Sequence, residues 1–130
     1  MAGSLGACIE LMRPKNLLLA GATVPLGAYF ALMDSSQSFP FDAVVLHTLA
    51  VVFFTGAGNA MNDIKDAEID LTAHPMRPLP SGRLTISQAS QFTSVLWIVS
   101  VLAHIGGLLS VPMELNTYLP TISIYILAIV

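Results

Sequence analysis

Four uncharged stretches dominate this sequence: residues 16–33, 43–62, 84–113 and 115–130, with 18, 20, 30 and 16 residues. The hydrocarbon core of a bilayer, about 30 Å thick, is crossed by roughly 20 mostly apolar residues in a helix. The first two stretches just suffice and the third has length to spare. The fourth ends within apolar sequence at Val130, with no charge or interfacial anchor behind it. The chain therefore reads as an all-α, multi-pass transmembrane helical bundle with spans at about 16–33, 43–62, 86–109 and 117–130, and as the amino-terminal part of a longer protein. Arg13 and Lys15 ahead of the first run imitate a secretory signal, but further spans follow and the run has the length of a retained helix.

The charges that remain exclude several classes of function. Five Lys and Arg against a net charge of −3 leave no basic surface for nucleic acid. One cysteine, Cys8, gives neither a disulfide framework nor metal-ligand spacing, and is expected to pack. All five cations fall on one side of the expected spans: Arg13 and Lys15 before the first, and Lys65, Arg77 and Arg83 between the second and third. The positive-inside tendency makes that side cytoplasmic, which places the amino terminus and the 63–85 connection inside a cell membrane.

The connections differ in kind. Residues 34–42 and 111–116 are short, polar and proline-containing, as outer turns are. Residues 63–85 hold four of the eight acids, three of the five cations, three prolines and Gly82. A connection so long and so densely punctuated is a candidate for function. Within the spans, Pro25 is tolerable if neighbouring groups satisfy the freed carbonyl. The small residues around it, and Gly56, Ala57, Gly58 and Ala60, permit close helix contact. His47 and His104 read as isolated neutral histidines bonded to a neighbouring helix, and Trp97, Tyr118 and the methionines as packing.

The stretch richest in chemistry begins where the second span ends. If helix continues outward, Asn62, Asp66 and Asp70 stand at i, i+4 and i+8 on one face, with Asp63 beside them and Glu68 turned largely away. Like-charged carboxylates at helical spacing repel by roughly 0.2–0.5 kcal/mol per pair, and the helix dipole disfavours anions at a carboxyl end. Hard oxygens on successive turns suit Mg²⁺, which keeps several waters and bridges to substrate phosphates. Arg77 and Arg83 follow in the same connection; they serve either as phosphate-binding forks, as topology anchors, or as partners of the nearby acids.

Asn62-Asp-x-x-Asp66-x-x-x-Asp70, followed by Arg77-Pro-Leu-Pro-Ser-Gly82, resembles the first aspartate-rich motif and following loop of the UbiA-type intramembrane prenyltransferases. Arg13-Pro-Lys-Asn16 and Gly58-Asn-Ala-Met-Asn-Asp63 fit the same family in the same order. The likeness covers essentially the whole chain, as the first three helices and part of the fourth of one intramembrane domain. Leu26-Gly27-Ala28 and Glu68-Ile-Asp70 look most similar to its archaeal ether-lipid branch.

The resemblance implies Mg²⁺ held by Asn62, Asp66 and Asp70, and a prenyl diphosphate, geranylgeranyl in that branch, bound with help from Asp63, Arg77, Arg83, Arg13, Lys15 and Asn16. The acceptor it implies is a lipid, geranylgeranylglyceryl phosphate. In the quinone branches the acceptor is an aromatic ring such as 4-hydroxybenzoate. His74 stands where relatives commonly carry a cation, and no second aspartate-rich motif follows Asp70, so the 130 residues alone are expected to be inactive. Two further readings compete: a truncated, non-catalytic membrane protein that binds isoprenoid diphosphate, and a divalent-cation carrier. The carrier reading is the weaker, because the spans hold only scattered Ser, Thr and His.

Overall fold

The computed structural model describes residues 2–34 and 36–111, and these residues form five α-helices and no strand: α1 (Ala2–Leu11), α2 (Pro14–Leu32), α3 (Phe41–Lys65), α4 (Ala67–Ala73) and α5 (Ile86–Leu109). The expected fold class is the one observed. α2 and α3 each begin two residues ahead of the expected spans, and α5 coincides with 86–109. The expected span at 117–130 lies outside the described residues. α3 and α5 are each long and apolar enough to cross a membrane. α2, 19 residues with Pro25 inside it, is not in that pair. Leu18, Leu19, Phe30, Leu102 and Leu109 all point outward from the long helices, leaving a surface suited to lipid rather than to water.

Local chemistry sets the helix starts. Pro14 occupies the first position of α2, where its missing N–H is no loss. Thr85 caps α5: its side chain accepts from the Gln88 N–H at 3.2 Å, while the Gln88 side chain accepts from the Thr85 N–H at 3.0 Å. α1 was not anticipated, and Ala7 and Leu11, one turn apart, bury its inner face. They join Ala60, Leu84 and Ala89 in a small core that ties α1, the end of α3 and the start of α5 together.

α3 is the central element, packing most extensively along α5 and then against α2. α5 runs antiparallel to α3. The buried Ser100 hydroxyl donates to the Ala50 carbonyl at 2.8 Å, and Phe54 meets Trp97 edge-on with ring centroids 4.6 Å apart. His47 and His104 are not isolated: their rings form a tilted pair with centroids 5.1 Å apart. The antiparallel register brings them together, and Gly107 makes the room. A Cβ at Gly107 would lie 2.7–2.9 Å from three atoms of the His47 ring, closer than non-bonded atoms tolerate. A Cβ at Gly58 would meet nothing within 4 Å.

These two glycines give a paired prediction. Gly107→Ala should destabilise the α3–α5 interface by about 1–3 kcal/mol, the usual range for overpacking. Gly58→Ala should be neutral or stabilising by up to about 1 kcal/mol through helix propensity. Thermal unfolding of the detergent-solubilised protein, followed by circular dichroism, reads the difference; equal midpoints would contradict the packing described.

Candidate active site

At the end of α3 the backbone bends at Asp66, the residue shared by the end of α3 and the start of α4, with φ −90° and ψ 5°. The helix anticipated through Asp70 is thus two helices. The column survives the bend, because the Asp66 N–H donates to the Asn62 carbonyl at 2.9 Å, that of Asp70 to Asp66 at 2.8 Å, and that of His74 to Asp70 at 2.9 Å. Asn62, Asp66, Asp70 and His74 are therefore linked turn by turn. Their surroundings differ, however. Asn62 and Asp66 are exposed, whereas Asp70 is 3% exposed and Asp63 4%.

Two buried carboxylates require cations, and two arginines reach them from opposite sides in the sequence. Arg13 pairs with Asp63 through Nη2 and Oδ1. Arg77 places Nη1 2.7 Å from Asp70 Oδ2 and 3.6 Å from Asp63 Oδ1, and so bridges the two acids. Arg13 sits in the corner between α1 and α2 with φ 55°, a left-handed conformation unusual for a residue with a side chain. That corner docks on the face of α3 formed by Gly56, Asn59, Ala60 and Asp63, at i, i+3, i+4 and i+7. Asn59 Nδ2 donates to the Met12 carbonyl at 2.8 Å, and the Met12 side chain lies against Gly56.

The loop after α4 presents Arg77 on an anchored backbone. The Arg77 N–H donates to His74, and its carbonyl accepts from both the N–H (3.0 Å) and the hydroxyl (2.6 Å) of Ser81. Pro78 is buried, and Gly82 turns the chain at φ 72°. An open cleft of about 320 Å³ lies beside Arg77, lined by Glu10, His74, Pro75 and Met76.

The remaining expected site residues are not gathered at the column. Arg83 forks onto Glu10 at 2.7 and 3.0 Å and donates to the Met76 carbonyl, so it fastens α1 to the loop. That pairing holds the Glu10 carboxyl below its ordinary range. Lys15 and Asn16 stand exposed on the first turn of α2, and Glu68 is exposed as well. Sequence reasoning missed the Glu10–Arg83 fork and the Asn59 contact, because it missed α1, the helix that makes both possible.

Among the described residues, no group of three or more His, Cys, Asp or Glu side chains is placed to hold a metal ion. The donor set is instead an open one. The exposed Asn62 amide and Asp66 carboxylate supply hard oxygens on adjacent turns, with Asp70 next in the column and engaged by Arg77. This fits a hard cation that keeps waters and completes its shell with phosphate oxygens.

Removing the Arg77 guanidinium leaves buried Asp70 without its charged donor. Arg77→Gln should therefore cost about 1.5–3 kcal/mol of stability, the range for hydrogen bonds to charged groups. Arg83→Gln breaks a solvent-exposed fork and should cost less. Unfolding midpoints in detergent give the order, and a larger loss from Arg83→Gln would overturn it.

The model of the UbiA prenyltransferase family matches residues 18–129. The chain is similar to proteins named digeranylgeranylglyceryl phosphate synthase. It is 38% identical over 111 residues to that of Methanosarcina barkeri (78% of this chain, 38% of the relative). It is 33% identical over 120 residues to that of Methanosphaera stadtmanae (92% and 41%), and 39% identical over 94 residues to that of Natronomonas pharaonis (72% and 32%). The chain thus spans between about a third and two fifths of the length of these relatives. No solved structure gives a significant match. With its family model matched over nearly the whole length and its aspartate column in place, the chain belongs to the UbiA prenyltransferase family.

Proposed function

We propose that this chain carries the donor-binding part of an intramembrane prenyltransferase, which moves a geranylgeranyl group from its diphosphate to geranylgeranylglyceryl phosphate in archaeal ether-lipid synthesis. The observation that carries this reading is the column Asn62–Asp66–Asp70 at the α3–α4 bend, with Arg13 and Arg77 drawn to its base by Asp63 and Asp70. The names of the relatives support the acceptor assignment.

In this reading Asn62, Asp66 and Asp70 hold Mg²⁺, which when bound neutralises charge on the departing diphosphate. Asp63 holds Arg13 and Arg77 near the phosphate-binding region. Arg77, partly exposed beside the open cleft, supplies a guanidinium to phosphate oxygens as charge develops during ionisation of the C1–O bond. The glyceryl hydroxyl of the acceptor then attacks C1 and passes its proton to the released diphosphate. The helices shield the allylic cation from water. The excess of cations at residues 13, 15, 65, 77 and 83 favours a multi-pass protein with this end of α3 in the cytoplasm.

Substitutions in the intact protein test the reading. Asp66→Asn keeps size but removes a metal-binding charge, and should lower turnover on the order of a hundredfold, equivalent to about 2.7 kcal/mol of transition-state stabilisation. Glu68→Gln, outside the column, should stay within a few fold of the parent. Radiolabelled geranylgeranyl diphosphate is supplied with geranylgeranylglyceryl phosphate and, separately, with 4-hydroxybenzoate. Equal losses in the two variants would mean a diffuse acidic surface. Transfer to the aromatic acceptor alone would move the protein to the quinone branch, and donor binding without transfer to either would make it a binding protein.

A further inference from the structure

We propose that Arg77 is a displaceable counter-cation: it occupies Asp70 while the site is empty, and leaves it for the substrate phosphate when metal and diphosphate arrive together, so that neither binds well without the other. The inference rests on the metal-binding reading above and adds an order of events to it.

Asp70 is nearly fully buried, and its Oδ2 is 2.7 Å from Arg77 Nη1. In this state one oxygen of the Asp70 carboxylate is taken by a guanidinium, and a metal binding the same carboxylate would be repelled by it. Asp66, one turn away, is exposed and makes no ion pair among the described residues. A metal alone is therefore offered Asn62 and Asp66 freely and Asp70 only in competition with Arg77.

The arrangement makes release of Arg77 feasible without a bare buried charge. Asp63 has Arg13 as its main partner, and Arg77 is only a second contact at 3.6 Å. If Arg77 departs, Asp63 retains its cation and Asp70 exchanges a guanidinium for a metal. The Arg77 backbone is pinned by His74 and Ser81, so the motion belongs to the side chain. That side chain is 31% exposed and borders the cleft of about 320 Å³, which gives the guanidinium somewhere to go. A diphosphate provides the reason to move, since its oxygens match the planar fork and compensate for the lost carboxylate. The result is a positive coupling between metal and polyanion, which linkage makes reciprocal.

Manganese binding to the intact protein in detergent, measured by electron paramagnetic resonance with inorganic pyrophosphate as the polyanion and corrected for the soluble complex, tests this. In the parent, pyrophosphate should tighten manganese binding by about tenfold or more, within the usual span of coupling. Arg77→Gln should bind manganese alone about tenfold more tightly than the parent, and its coupling should fall to within about threefold. Arg77→Lys keeps the charge on a shorter stem and should shift manganese affinity the same way by a smaller factor, which carries the test if the glutamine variant does not fold. Unchanged or weaker manganese affinity in the folded Arg77 variants would overturn the proposal. Asp66→Asn separates the two ideas: if it abolishes manganese binding while the Arg77 variants behave as the parent, only the displacement fails. If Asp66→Asn leaves manganese binding intact, the metal assignment fails with it.

Discussion

Burying a carboxylate at the end of an apolar helix is costly unless a cation matches it, and here there are two, Asp63 and Asp70. Much of the architecture at this end of the molecule follows from that requirement. Arg13 has to be delivered from the amino-terminal side, which demands a sharp corner between α1 and α2 and a face on α3 to receive it. Arg77 has to be delivered from the carboxyl side, which demands a loop that folds back under α4 instead of running straight into α5. The Glu10–Arg83 fork closes the circuit by joining the two delivery routes to each other.

Along the long helices a different constraint operates. With large apolar side chains turned outward, the α3–α5 contact relies on close approach, on Ala50, Ala57 and Gly107, and on a few polar contacts such as the Ser100 hydroxyl on a backbone carbonyl. These contacts set the position of α3 relative to its neighbours, and with it the position of the column at its end.

Much of this was legible in the residues. Runs free of charge located α2, α3 and α5, because a missing charge is a strong signal over 20 positions. The i, i+4, i+8 spacing of Asn62, Asp66 and Asp70 identified the column, since a helical repeat survives one bend as long as the backbone hydrogen bonds do. The pairing of charges was not legible. Arg13 and Asp63 are 50 positions apart, and nothing local distinguishes Arg77, which turns to the acids, from Arg83, which turns to Glu10. His47 and His104 looked solitary for the same reason: their contact is a matter of register between helices and of the space that Gly107 leaves open. α1 was invisible because its buried face is narrow, resting on Ala7 and Leu11.

The left-handed corner at residue 13 ties two positions together in evolutionary terms. On backbone grounds alone glycine would be the easier choice there, since it adopts positive φ at no steric cost. A glycine at 13 would strip Asp63 of its principal cation, and a neutral residue at 63 would leave an arginine in an unfavourable conformation without its carboxylate. Drift at either position is thereby blocked unless the other changes with it, so residues 13 and 63 are expected to be inherited, and exchanged, as a unit.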